Sequence, residues 1–175
     1  MSQNTLLFYL HDLPGYELDS GEPDIRGWKL NDLHDNTIGH VENLVVSRKD
    51  ESVKYLEVKL TDEILSKNPD NRNPHLKDEA PREFVEGMDR DHFLLPIGLV
   101  TLHPEAHVVR TEKVSEGTFV TAARRRRKDP FDTEYELQVV EHFGGNTAGY
   151  THEKAISDDF YNQKPFENKG FRKGK

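Results

Sequence analysis

The sequence predicts a mainly β protein, namely a small antiparallel β-barrel closed by a helix near the C-terminus. Between about residues 25 and 113, short segments of alternating apolar and polar residues are separated by turn residues, which is typical of an antiparallel meander. The densest apolar run, DHFLLPIGLVTL at 91–102, contains Pro96 and Gly98 and is expected to bend there. Further on, four apolar residues recur at every fourth position, which is the spacing of one helix face: Phe131, Tyr135, Val139 and Phe143.

Five strands are expected from these patterns: Ile25–Asp32, Ile38–Ser47, Val53–Leu60, His92–Leu102 and His107–Lys113. In the fourth strand, alternation places Phe93, Leu95, Ile97 and Leu99 on one face and Leu94, Val100 and Leu102 on the other. Because both faces are apolar, both need a cover. We expect the barrel interior to cover one face, and the closing helix or a partner subunit to cover the other.

The chain divides into three parts by composition. Residues 1–23 are expected to be an irregular lead, and residues 24–145 to form the barrel domain. That domain includes a polar surface insertion at 61–90, with a helical turn at Asp62–Lys67, and the closing helix at about 130–143. Residues 146–175 lack periodicity and are expected to form a flexible polar tail.

Composition excludes several classes of function. The formal net charge is −8, which argues against wrapping by nucleic acid and against binding to an anionic bilayer. Because the chain has no cysteine, it has no disulfides, thiol catalysis or cysteine-ligated zinc. We see neither a signal peptide nor an apolar stretch of membrane-spanning length, so a soluble cytoplasmic protein is expected.

Four ordered segments resemble the PRC-barrel family. They are Gly27-Trp28, Gly39 to Val46, Lys54 to Val58 and Leu94 to Gly98, and they lie within residues 24–113. The lead LPGYELDSGEPDIRGW and the helix ending EHFGGN are similar to segments of one member, the H polypeptide of the photosynthetic reaction centre. The resemblance implies the fold of that polypeptide's soluble domain. The long insertion and the basic run at 124–128 depart from the pattern, and we see no N-terminal membrane helix.

The resemblance also implies functional expectations. Members of the family resemble adaptors more than enzymes, and one domain of the family binds a ribosomal protein. In the reaction-centre member, surface histidines and interior acids are thought to pass protons towards a quinone. The matching positions here are His92, which precedes FLLPIG, and Glu134 or Glu136 in the closing helix. A photosynthetic electron- or proton-transfer role is therefore one hypothesis, although this chain would need a partner to hold the quinone.

Five consecutive cations form the strongest local charge feature: Arg124, Arg125, Arg126, Arg127 and Lys128. They precede a helix N-terminus, whose dipole is also positive. One interpretation is a docking patch for phosphate, RNA or an acidic protein. The other is a solvated loop that pairs with the acidic insertion of the same chain or of another copy.

Two aromatic residues are candidates for contacts with a partner. By alternation, Tyr55 shares a strand face with Glu57 and Lys59 rather than with Leu56, so we expect Tyr55 at the surface and name it a partner-binding candidate. Trp28 is expected in the core instead.

Metal binding is a weaker hypothesis. His103 and His107 are separated by three residues and flank a glutamate, but a proline-containing turn joins them, whereas this spacing suits metal binding on a helix. We recognise no Ser-His-Asp elbow, P-loop or dinucleotide-binding motif.

We therefore predict a non-enzymatic protein-interaction module that binds no cofactor, has an unknown protein partner and forms a homo-oligomer. The alternative is an RNA- or ribosome-associated factor that uses the patch Arg124–Lys128. A metal-binding enzyme is the third hypothesis.

Overall fold

The computed structural model describes residues 7–10, 24–48, 52–68, 91–125, 131, 133–144, 161 and 166. Within these residues the protein is mainly β, with one mixed sheet and a few short helices. The strands are β1 (Leu7–Tyr9), β2 (Lys29–Asn31), β3 (Thr37–Ser47), β4 (Val53–Leu60), β5 (His92–Pro96), β6 (Val100–His103) and β7 (Val108–Thr111). The helices are α1 (Asp62–Lys67), α2 (Glu116–Thr121) and α3 (Thr133–His142).

Most of these elements were expected. Strand β4 and helix α1 have the predicted bounds, and α3 lies within the predicted closing helix. Two short elements were not predicted. The expectation of an irregular lead is wrong at β1, which pairs with the end of β3 because Leu7 and Tyr9 are buried against the sheet. Helix α2 is short and has an exposed glycine in its first turn, so its pattern is weak.

The strand order of the sheet is β5-β4-β3-β2-β7-β6, and β1 pairs separately with β3. Neighbouring strands are antiparallel except for β2 and β7, which are parallel, so the expectation of a purely antiparallel sheet is wrong. Among the described residues, no ladder of hydrogen bonds joins β5 to β6 and closes the sheet.

The apolar run 91–102 forms two strands, not the single strand that we predicted. Strand β5 ends at Pro96, which has no N–H to donate, and Ile97–Leu99 form a 3-10 turn that leads into β6. These strands lie at opposite ends of the strand order. Four peptide steps reach at most about 14 Å, whereas five strand spacings in a flat sheet cover about 24 Å. The sheet therefore curls, and the predicted bend at Pro96 and Gly98 is confirmed.

Two apolar clusters lie on the two faces of the sheet. The inner cluster joins β2–β7 with α1 and α2, and includes Leu30, Val41, Val58, Phe93, Val109 and Phe119. The outer cluster lies between the sheet and α3, and includes Val45, Tyr55, Leu94, Tyr135 and Val139. The predicted cover of Leu94 by the closing helix is confirmed. Val100 and Leu102 pack with the inner cluster instead, because the 3-10 turn interrupts the alternation.

Asp32 connects the turn between β2 and β3 to the start of α2. Its carboxylate accepts hydrogen bonds from the backbone N–H groups of His34, Asn36 and Glu116, at 2.8–2.9 Å. Burial acts to raise the pKa of Asp32, but these bonds and one from the Asn36 side chain outweigh it and lower the pKa. The turn and the helix are thus held by one ionised side chain.

Gly39 allows the close approach of β3 and β4. A Cβ at this position would collide with the backbone carbonyl of Lys59. We expect Gly39→Ala to lower the free energy of unfolding in urea by about 1–3 kcal/mol. The control is Gly117→Ala in α2, where an added Cβ meets nothing within 4 Å and should raise stability by about 0.5–1 kcal/mol. Equal effects of the two substitutions would contradict this assignment.

The lowered pKa of Asp32 predicts loss of stability in acid. Below its ordinary value of 3.8, the unfolded chain binds a proton that the folded chain resists, so the stabilisation fades as pH falls. Asp32→Asn should cost about 1–3 kcal/mol near neutral pH. That difference should shrink between about pH 6 and about pH 3 when urea unfolding is measured at both. A difference independent of pH would contradict the role of the charge.

Candidate functional site

The ionisable residues that the structure brings together lie beneath α3, on the outer face of β4. Tyr55 and Glu57 share that face, as alternation predicts, but both are fully buried. The expectation that Tyr55 faces solvent is therefore wrong: helix α3 and the side chains of Tyr161 and Phe166 cover it. We call the following residues the buried polar cluster: Tyr9, Asn43, Tyr55, Glu57, Arg125, Tyr135, Glu136 and Tyr161.

Glu57 is the centre of one half of the cluster. It accepts a hydrogen bond from the Tyr9 hydroxyl at 2.9 Å and one from Asn43 Nδ2 at 2.8 Å. Arg125 donates to the same Tyr9 hydroxyl at 2.7 Å, and its Nε lies 3.9 Å from a Glu57 oxygen. A buried carboxylate is costly unless it is paired and hydrogen-bonded, and Glu57 has both kinds of contact.

Backbone pairing draws Arg125 into the interior. Its N–H donates to the His92 carbonyl at 2.7 Å and its carbonyl accepts from the His92 N–H at 3.0 Å, so it extends the outer edge of β5. Its guanidinium carbon lies 5.2 Å from the ring centroid of Phe131 and 5.5 Å from that of Tyr135, within cation–π range. The arginine is 2% exposed.

The predicted basic patch is therefore wrong at its first two residues. Arg124 is also buried, and that burial lowers the pKa of its guanidinium. A run of five cations suggests a solvated loop, but a single bridge to His92 removes Arg125 from the surface. The other three patch residues, Arg126, Arg127 and Lys128, lie outside the described residues.

Glu136 is the centre of the other half of the cluster. This fully buried carboxylate accepts hydrogen bonds from the Tyr55 hydroxyl at 2.9 Å and from the Tyr161 hydroxyl at 2.6 Å. Burial and the nearby Glu136 charge raise the pKa of Tyr55 well above its ordinary value. Of the two helix acids named from the sequence, Glu136 is therefore the interior one, and Glu134 is only half-buried.

His92 is buried in β5, and its Nδ1 lies 2.6 Å from Asp91 Oδ1. Burial acts to raise the pKa of Asp91, but the hydrogen bond and charge of His92, with the charge of Lys59, lower it. Within the described residues, the His92 ring bonds to Asp91 and to neither helix acid. In the described residues, His92, Glu134 and Glu136 are thus not connected into a proton path by hydrogen bonds.

The two candidate metal ligands, His103 and His107, contact different side chains. His103 Nε2 lies 3.6 Å from Glu112 Oε1, whereas the His107 ring stacks on Trp28 with centroids 5.3 Å apart. Trp28 is half-buried against the inner cluster, so its expected place in the core is reached only in part. In the described part of the chain, no group of three or more His, Asp or Glu side chains is placed to hold a metal ion.

Sequence reasoning missed Tyr9, Asn43, Glu57 and Arg125 as members of one cluster. A signal was present, because the apolar stripe of α3 must pack on a sheet face. The face of β4 with Tyr55 and Glu57 was a candidate for that position. Chemically, each half of the cluster surrounds an acid with donors from the chain itself, and these bonds fasten β1, α3 and Tyr161 to the sheet.

No protein-family model matches the chain, and no curated protein matches it either. In the ranges that the structure describes, every helix is too short or too polar to cross a lipid bilayer.

Removing the Glu136 carboxylate should loosen α3. We expect Glu136→Ala to lower the free energy of unfolding by about 3 kcal/mol, because the Tyr55 and Tyr161 hydroxyls lose their buried acceptor. Chemical denaturation followed by circular dichroism measures the change. The control, Glu141→Ala, removes an exposed acid from the same helix and should have little effect. Similar losses for both variants would contradict the structural role of Glu136.

Proposed function

We propose that this chain is a PRC-barrel protein that acts as a non-enzymatic adaptor by binding another protein. The curl of the sheet supports the barrel, because a three-residue turn joins the two ends of the strand order. The family-like segments also lie in, or for Gly27-Trp28 immediately before, the consecutive sheet neighbours β2, β3, β4 and β5. A cytoplasmic location and self-association are part of the proposal.

One observation carries the adaptor function, namely the uneven cover of the outer sheet face. Towards one end of the strands, α3 and the buried polar cluster cover this face. Towards the other end, Lys29 and Lys59 are exposed, and the His40 side chain between them is 44% exposed. Within the described part of the chain this end of the sheet is exposed, and an exposed sheet surface is a suitable docking surface for a partner.

The chemistry of the interior supports binding over turnover. A catalytic acid needs access to a substrate proton. Glu57 and Glu136 are instead fully buried and hydrogen-bonded to other side chains of the cluster. Their arrangement is that of a structural contact between layers.

The alternative of an RNA- or ribosome-associated factor has less support. Arg124 and Arg125 are buried, so that hypothesis depends on Arg126–Lys128 alone. The reaction-centre hypothesis depends on His92 and Glu136, both of which are buried and hydrogen-bonded elsewhere.

The adaptor proposal predicts a specific partner. The immobilised full-length chain should retain one or a few proteins from an extract of its native host, at close to equimolar amounts by quantitative mass spectrometry. An unrelated protein of similar size and net charge is the control. Light scattering after gel filtration tests self-association. A chain that stays monomeric and retains nothing beyond the control would overturn the proposal.

A further inference from the structure

Three residues that can carry positive charge lie side by side on the open part of the sheet. In the register of the strands, Lys29 of β2 pairs with His40 of β3, and His40 pairs with Lys59 of β4. Directly paired residues point to the same face of a sheet, with Cβ atoms about 5 Å apart. We call Lys29, His40 and Lys59 the basic row.

The row faces outwards. Its sequence neighbours Leu30, Val41 and Val58 all pack into the inner cluster, so alternation directs the row to the opposite face. The side chains are accessible: both lysines are exposed, and His40 is 44% exposed.

The same line of pairing continues in both directions. Beyond Lys59 it reaches His92 and then Arg125, both of which are buried. Beyond Lys29 it passes Val108 and reaches His103. Six of the seven positions across the whole sheet can therefore carry positive charge, although the chain as a whole has a net charge of −8.

Two acidic groups lie near the row, and one of them already pairs with His40. Glu42 lies 2.9 Å from His40, and Asp91, which lies near enough to Lys59 to feel its charge, bonds to His92. Lys29 and Lys59 form no ion pair within the described ranges. Lys29 and Lys59 are therefore the two members of the row whose charge an added anionic group would neutralise.

We infer that the basic row binds an acidic helix of a partner protein. This inference rests on the proposed adaptor function and names the chemistry of the partner. Lys29 and Lys59 are two strand spacings apart, about 10 Å, and seven residues of helix rise about 10.5 Å. Carboxylates at i, i+4 and i+7 of a helix laid across the strands would therefore meet Lys29, His40 and Lys59 in turn.

A protein helix fits better than a nucleic acid. Two exposed lysines on either side of a histidine can pair with a few carboxylates on one helix face. A nucleic acid carries a dense, continuous charge, and the acidic remainder of the chain would repel it over a longer range.

A defined peptide tests the inference directly. The probe is an alanine-based helical peptide with glutamates at i, i+4 and i+7, and its control has glutamines at those positions. In amide NMR spectra of the full chain at low salt, the glutamate peptide should shift residues around Lys29, His40 and Lys59 in a saturable manner. Raising the salt from about 20 mM to about 300 mM should weaken its binding at least tenfold.

Variants at the row test the charges. Lys29→Glu with Lys59→Glu should weaken binding at least tenfold, and Lys29→Gln with Lys59→Gln serves if charge reversal disturbs folding. Lys29→Arg with Lys59→Arg keeps the charges and should bind as well as the natural chain. Lys113→Glu changes an exposed lysine outside the row and should bind normally.

Several outcomes would overturn the inference. Two concern the peptides: no NMR shift with the glutamate peptide, or equal shifts with the glutamine peptide. Two concern other ligands: shifts at the basic row caused by a single-stranded oligonucleotide but not by the glutamate peptide, or shifts at the basic row that grow with protein concentration because a second copy of the chain binds. A partner captured by the natural chain and retained equally by the Lys29→Glu, Lys59→Glu chain would also overturn it, yet would leave the adaptor function standing. Capture of no partner by either chain is instead the failure of the adaptor function.

Discussion

Three residues, Ile97–Leu99, connect strands from the two ends of the sheet, and the arrangement of the other layers depends on this short connection. Because it forces the sheet to curl, β2–β7 enclose an apolar interior that α1 and α2 complete. The opposite face of the sheet points outwards, and the strands themselves cannot cover it. Part of that face lies beneath α3, and another part is exposed in the described residues. The proposed partner binds to the exposed part.

The covered part is stabilised by an uncommon choice of side chains. Two carboxylates and a guanidinium lie in the interior, where desolvation opposes charge. Tyrosine side chains offset part of this desolvation cost, because the apolar ring packs in the interior and the hydroxyl donates a hydrogen bond to the buried carboxylate. Directional bonds from Tyr9, Tyr55 and Tyr161 also specify where β1 and α3 sit on the sheet, which apolar contacts alone define less sharply.

Local patterns predicted much of the fold. Turn residues and alternation located β3 and β4 well, and the four-residue spacing located α3. The faces of β4 were also assigned correctly, but alternation cannot say what covers a face, so Tyr55 was expected in solvent. The basic run failed for a similar reason, since a bridge between His92 and Arg125 joins segments far apart in the chain. The basic row was not predicted from sequence, because its alignment depends on the register between strands.

The buried polar cluster has a consequence for the order in which the chain can fold. Its hydrogen bonds join residues that are far apart in the sequence. Tyr9 and Glu57 are separated by 48 positions, Tyr55 and Glu136 by 81, and Tyr9 and Arg125 by 116. Contacts over such separations form late, after the loops between them have closed. During synthesis, the acceptor Glu136 must wait for Tyr161, which emerges 25 residues later. The cluster is thus completed only after residue 161 has left the ribosome, so a chain that stops before Tyr161 would lack one of the two donors to Glu136.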